Sequence, residues 1–182
     1  MDKQIHWHSF KAGSVSFRLG ATPRGLYSLE FGKRARLPRT KKPVPSKVRL
    51  LIKRTASLLK AYLDAKSVSF ENLPVDWSGY EDSQREVLEE LRKIPRGRTE
   101  SYQFLAQQTG RPKAARYIGN VLGSNRLPIV LPCHRIIRKG GGMGGFSKGL
   151  RWKKWLLKLE GAGVDTQSQA RPGCLTAKGR VL

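Results

Sequence analysis

Cysteine, methionine, histidine and acidic residues are all scarce in this 182-residue chain. It has two cysteines, two methionines, three histidines and 13 Asp plus Glu. Cys133 and Cys174 alone cannot build a disulfide framework, so the chain reads as a protein of a reducing, intracellular compartment. The N-terminal half has no cysteine, and His6 and His8 are too few ligands for a closed zinc site. We therefore expect no metal and no cofactor. No apolar run approaches the roughly 20 residues of a membrane-spanning helix. Residues 1–10 lack the apolar core of a secretory leader. The shortage of acid against 36 Lys plus Arg leaves a formal charge of +23. That excess argues against a general small-metabolite enzyme. It points to polyanions, nucleic acid before an anionic membrane face.

The hydrophobic content of 38% is that of a folded protein, long enough for one or two domains. Residues 1–70 hold 16 basic and 3 acidic residues, residues 71–95 hold 3 and 7, and residues 96–170 hold 14 and 3. The charge thus sits in two blocks around an acidic segment. Ten basic residues and no acid lie between Lys33 and Arg54, interrupted by Pro38, Pro43 and Pro45. That run reads as a solvated loop adding nonspecific affinity.

Alternation of Val15, Phe17 and Leu19, then of Leu26, Leu29 and Phe31, predicts two strands joined by a turn at residues 22–25. Val48, Leu51, Ile52, Leu58, Leu59 and Tyr62 recur at helical spacing over residues 46–63. Residues 72–77 read as an extended linker, with a domain boundary near 74. Ser83 is expected to cap a helix carrying Val87, Leu88 and Leu91 and ending near Pro95. A short helix from Thr99 or Ser101 should stop near Gly110. Another should open after Pro112 and run from Lys113 to about Leu122. The pair makes a helix-turn-helix candidate. Residues 128–131 look like an apolar strand. Residues 150–159 look like a helix with Trp152, Trp155, Leu156 and Leu159 on its apolar face. The fold class is an α/β N-terminal domain, residues 1–74, followed by a mainly α domain, residues 75–162. Residues 163–182 read as a flexible basic tail in which Cys174 is inert.

Cys133 is followed by His134 and Arg135 and preceded by Pro132. A thiolate is the reactive form of cysteine, and an adjacent imidazole can take its proton directly or through one water. Arg135 would add positive potential close by. A buried small hydrophobe beside an unrelated histidine would have the same sequence.

The stretch Pro132, Cys133, His134, Arg135 after an apolar segment resembles the active-site signature of the O6-alkylguanine-DNA alkyltransferases, the methylated-DNA–protein-cysteine methyltransferases. The resemblance continues through residues 94–102, 112–116, 144–150 and 155–161 in the same order. It implies repair of DNA by irreversible transfer of an alkyl group, mainly methyl, from O6-alkylguanine to Cys133, once per molecule. O4-alkylthymine is a further candidate substrate. His134 would be the base, acting through a water, Glu160 would hold it and balance its charge, and Asn125 would brace the relay. Arg116 would be the finger that replaces a flipped base. Tyr102 and Ser147 would contact that base. Ser83, Gln103, Arg111 and Lys139 would hold the DNA backbone. The resemblance also implies double-stranded DNA bound through its minor groove, by a monomer whose cooperativity on DNA is left open. It implies a cytoplasmic protein in a prokaryote and a nuclear one in a eukaryote.

The chain departs from that pattern in places. Arg126 stands where proline is usual, which would loosen the turn or add a phosphate contact. Lys148 stands where a small residue is common, which would leave less room for bulky adducts. Phe146 replaces a frequent tyrosine and Tyr117 a small residue. Three other readings compete. They are a non-catalytic lesion sensor, which would lack the cysteine, a cysteine hydrolase, and a structural nucleic-acid binder.

Overall fold

A computed structural model describes residues 4–32 and 43–163. Cys174 and the whole run from Lys33 to Lys42 lie outside them. The N-terminal half is a three-stranded antiparallel sheet in the order β1 (His6–Ala12), β2 (Val15–Thr22), β3 (Gly25–Phe31). Phe17 in the central strand faces Phe10 on one side and Phe31 on the other, so aromatic cross-strand pairs fix the register. The helix α1 (Ser46–Leu63) lies against all three strands. It buries Val48, Ile52, Thr55, Ala56, Leu59 and Tyr62, a stripe at i, i+4 and i+7 spacing.

Residues 72–77 are extended, as expected, but they are not a free linker. Leu73, Val75 and Asp76 are buried. Leu26 N donates to Pro74 O at 2.8 Å, and Asp76 N donates back to Leu26 O at 2.8 Å. Gly25 permits this close approach, because a Cβ there would sit 2.6 Å from Pro74 O.

The second half contributes α2 (Asp82–Arg92), α3 (Tyr102–Gln108), α4 (Ala115–Gly123) and α5 (Leu150–Leu159). Two-residue strands β4 (Glu100–Ser101) and β5 (Ile136–Ile137) pair in parallel. Ser101 Oγ caps α3 by accepting from Phe104 N at 3.0 Å. Ser83 does not cap α2. Glu81 holds that place, its N–H donating to Gln84 Oε1 at 3.1 Å, and Ser83 falls in the first turn. The helix after Pro112 starts at Ala115, because residues 111–114 close a turn through Ala114 N to Arg111 O at 2.8 Å.

Residues 128–131 do not form a strand. They make a buried turn in which Leu131 N reaches back to Leu127 O at 2.8 Å and Ile129 has a positive φ of 77°. The run is apolar because it is enclosed on every side, and that burial has no period to read. The apolar face of α5 is also rotated from the expected one. Lys153, Leu156 and Leu157 are buried, while Trp155 is 38% exposed. One apolar cluster runs through both halves, from Phe17 and Leu59 to Leu105, Ile118 and Leu156.

Candidate active site

Cys133 opens a single 3₁₀ turn, Cys133–Arg135, between the buried 128–131 turn and β5. Cys133, His134 and Arg135 are all buried. Asn125 spans the entry to this turn. Its Nδ2 donates to Leu131 O at 2.8 Å and to Cys133 Sγ at 3.1 Å. Its Oδ1 accepts from Leu127 N at 2.9 Å. One side chain therefore shapes the turn and touches the sulfur.

Behind the cysteine, His134 Nε2 lies 2.9 Å from Glu160 Oε1. Glu160 caps the C-terminus of α5 and is buried. Arg135 grips the same carboxylate with two bonds of 2.9 Å, through Nε to Oε2 and Nη2 to Oε1. Tyr62, from α1, donates its hydroxyl to Oε1 at 2.6 Å. Gly97 N donates to Oε2 at 3.4 Å. Burial would push the Glu160 carboxyl up, but the His134 and Arg135 donors override it and hold it far below the usual carboxylate range. A carboxylate so surrounded can only accept, so His134 Nε2 carries the hydrogen. The lone pair is then on Nδ1, which is buried and has no hydrogen-bond partner among the described residues. Burial lowers the His134 pKa, with Glu160 opposing, so the imidazole is neutral at pH 7.

Burial also pushes the Cys133 thiol up to about 11, against the Asn125 hydrogen bond and the charge of Lys153. At rest the site holds a thiol, a neutral imidazole and a carboxylate. The thiolate forms only when that proton leaves, and the adjacent His134 offers a buried Nδ1 with no hydrogen-bond partner among the described residues.

Cys133, Tyr102, Ser147, Gly119, Leu122, Gly123, Gly145 and Phe146 line one pocket of about 120 Å³. Three of the expected residues thus meet around one cavity. Arg116 is exposed on α4, one turn before Gly119 and two before Gly123, so it lies on the helix face that walls the pocket. Gln103, Lys139 and Ser147 are exposed. Ser83 and Arg111 point into the fold's own contacts instead. Ser83 Oγ meets Tyr117 Oη at 2.8 Å, and Arg111 pairs with Glu86 at 2.7 Å.

Two departures have defined places in the fold. Arg126 is held by contacts within the protein. Its guanidinium lies between the rings of Tyr27 (4.3 Å) and Tyr80 (4.1 Å) and donates to Ser78 O at 2.9 Å. Its carbonyl accepts from Leu29 N at 2.7 Å, so it ties the turn before Cys133 to β3. Lys148 is exposed, next to Ser147 on the pocket wall and outside the lining itself.

Sequence reasoning missed Lys153 and Tyr62. Lys153 is fully buried, and its Nζ donates to the carbonyls of Ile136, Met143 and Gly145. Burial lowers its pKa to about 8. A signal was present, because Lys153, Leu156, Leu157 and Glu160 share one helical stripe. Arg135, expected to add positive potential at the thiol, is spent on Glu160.

Comparison with known proteins agrees with this geometry. Residues 82–162 match the model of the 6-O-methylguanine DNA methyltransferase DNA-binding domain. The methylated-DNA–protein-cysteine methyltransferase of Methanothermobacter thermautotrophicus is 36% identical over 118 residues, 65% of this chain and 66% of that protein. The aligned stretch therefore spans just under two thirds of that relative. A probable methylated-DNA–protein-cysteine methyltransferase of Acanthamoeba polyphaga mimivirus is 37% identical over 109 residues, 60% of this chain and 72% of that protein. The crystal structure of Mycobacterium tuberculosis OGT in complex with DNA superposes with a TM-score of 0.71 at 30% identity. That superposition covers 86% of this chain and 93% of the mycobacterial one. In sequence and in fold, the chain belongs to the methylated-DNA–protein-cysteine methyltransferase family.

Proposed function

We propose that the protein repairs double-stranded DNA by moving the alkyl group, mainly methyl, from O6 of guanine to Cys133 Sγ, irreversibly and once per molecule. The observation that carries this is the pocket itself. A buried thiol lies on its wall, Asn125 N–H contacts the sulfur, and a neutral imidazole and carboxylate stand behind it. Cys133 gives its proton to His134 Nδ1, directly or through one water. The S–C bond forms as the O6–C bond breaks, and guanine leaves after taking up one proton. The balance is thiol plus alkylguanine to thioether plus guanine, with no co-reactant. Water does not cleave a thioether, so one molecule acts once.

A base stacked in duplex DNA cannot reach a buried sulfur, so the nucleotide must be flipped out. α3 and α4, joined across residues 109–114, act as the helix-turn-helix and present α4 to the minor groove. Arg116 fills the vacated place in the stack. Tyr102 and Ser147 contact the flipped base, and Gln103 and Lys139 hold phosphates. Ser83 and Arg111 contribute through the placement of α2, α3 and α4, given their internal partners. The protein acts as a monomer, and O4-alkylthymine is a second substrate to be scored.

The test is to incubate the protein with a duplex carrying O6-methylguanine and weigh it by mass spectrometry. One added methyl on Cys133 and no turnover beyond one equivalent are expected. A Cys133→Ala variant should bind DNA and gain no mass. Repair of a second equivalent would overturn the single-turnover reading.

A further inference from the structure

Tyr62 lies in the first half of the chain, 98 residues from the carboxylate that it contacts. We propose that it is a positioning residue for alkyl transfer. Its hydroxyl holds Glu160 Oε1 where His134 Nε2 stays bonded and His134 Nδ1 stays open to the Cys133 proton. This rests on the alkyl-transfer reading above and adds a part of the site supplied by the N-terminal layer.

The geometry gives that hydroxyl a role beyond satisfying itself. Oε1 receives three donors: Tyr62 Oη at 2.6 Å, His134 Nε2 at 2.9 Å and Arg135 Nη2 at 2.9 Å. The tyrosine bond is the shortest of the three. Tyr62 is 1% exposed, so no solvent exchanges with it. Its ring is fixed from two sides, edge-on to Phe70 at 5.8 Å and under the Arg96 guanidinium at 5.0 Å. Arg96 in turn donates to Leu159 O, next to Glu160, at 2.9 Å. Burial and the adjacent Glu160 carboxylate both raise the Tyr62 pKa, so the phenol stays a donor at all working pH.

A donor on Oε1 withdraws charge from the carboxylate and weakens its hold on an imidazolium proton. Removing it makes Glu160 more basic toward His134, and the imidazolium persists to higher pH. The titratable and charged groups around this pair are the neutral Tyr62 from α1, Arg96 from the loop after α2, Arg135 and the neutral thiol of Cys133 from the 3₁₀ turn, and Lys153 from α5. Tyr62→Phe changes one of them and keeps the ring.

The experiment measures the single-turnover rate of Cys133 methylation by an O6-methylguanine duplex from pH 5 to pH 9, alongside thermal unfolding. Tyr62→Phe should move the acid limb of the rate profile up by ~0.5–1 pH unit. Transfer then slows roughly three- to tenfold below the limb and little above it. Phe70→Leu loosens the same ring packing and keeps the hydroxyl. It should lower the melting temperature and leave the limb in place. A limb that stays put in Tyr62→Phe, or moves equally in Phe70→Leu, overturns the positioning role. Wild-type protein that gains no methyl would instead overturn the alkyl-transfer reading on which it rests.

Discussion

Replacing Lys153 by methionine separates two effects of one buried cation. Its Nζ donates to the carbonyls of Ile136, Met143 and Gly145 and so ties the glycine-rich loop to α5. Methionine has similar length and donates nothing. Gly145 is exposed and can turn to water, which leaves the Ile136 and Met143 carbonyls without this donor. At about 1–3 kcal/mol for each of these two acceptors, the loss is ~2–6 kcal/mol. Against it stands the burial of the ammonium. A pKa lowered from 10.5 to about 8, at ~1.4 kcal/mol per pH unit, corresponds to ~3 kcal/mol. The two offset each other in part, so at pH 7 the variant should unfold within ~3 kcal/mol of wild type. The balance shifts at high pH. The folded pKa lies below the unfolded one, so the unfolded chain binds more protons between pH 8 and pH 10.5. Wild-type stability should therefore rise relative to the variant across that window and stay flat below it. The chemistry is more sensitive. The charge of Lys153 opposes the burial that lifts Cys133 to about 11. Losing a nearby opposite charge raises a pKa by about one unit or more, so transfer should slow by roughly tenfold or more at pH 7. Denaturant unfolding across pH and single-turnover methylation read the two effects separately. A folded Lys153→Met protein that methylates Cys133 at the wild-type rate would refute the electrostatic role.

Three further outcomes rest on named interactions. Asn125→Ala removes the donor to Sγ and the brace between Leu127 and Leu131, so it should cost ~2–4 kcal/mol and slow transfer even where the protein remains folded; normal kinetics with normal stability would contradict the brace. Gly144→Ala places a Cβ 2.7 Å from Tyr102 Oη at a φ of +63°. It should displace Tyr102 and slow transfer from duplex DNA more than alkylation of Cys133 by a small reagent, and equal slowing of both would argue against a role for Tyr102 in holding the base. α1 exposes Lys47, Arg49, Lys53, Arg54 and Lys60 and contains no acid. Replacing the first four by glutamine should flatten the salt dependence of DNA binding, measured by fluorescence anisotropy, by at most ~0.9 in log–log slope for each phosphate no longer neutralised; an unchanged slope would mark that face as solvated only.

What could be read from the sequence divides by whether a residue's role is local. The bounds of α1 and α5 were legible to the residue because helix ends are written in neighbouring positions, while the buried face of α5 was not, since it carries Lys153 in place of Trp155. β1 was not, since His6–Ala12 mixes polar and apolar residues on a half-exposed edge strand. The 128–131 turn was misread as a strand because full enclosure erases the alternation that separates the two. Cys133, Tyr102 and Ser147 were legible through motif order, and they meet at one pocket. Tyr62 was legible only as a member of a buried stripe, since nothing near it marks a partner 98 residues away. Charge divides in the same way. The +23 of the whole chain describes attraction at the surface, yet few charges bear on the sulfur. Arg135 and Lys153 are positive and Glu160 is negative, while His134 is neutral at rest. The buried site therefore carries one uncompensated positive charge, which opposes the burial that keeps Cys133 a thiol without overcoming it. Moving the proton to His134 keeps that net charge and sets the imidazolium against Glu160, the carboxylate already bonded to it. Burial resists export of the proton to solvent, since that would leave the ionised sulfur without the neighbouring imidazolium. An internal shift is the easier route, so reactivity depends on proton transfer to His134 and not on a permanently ionised cysteine.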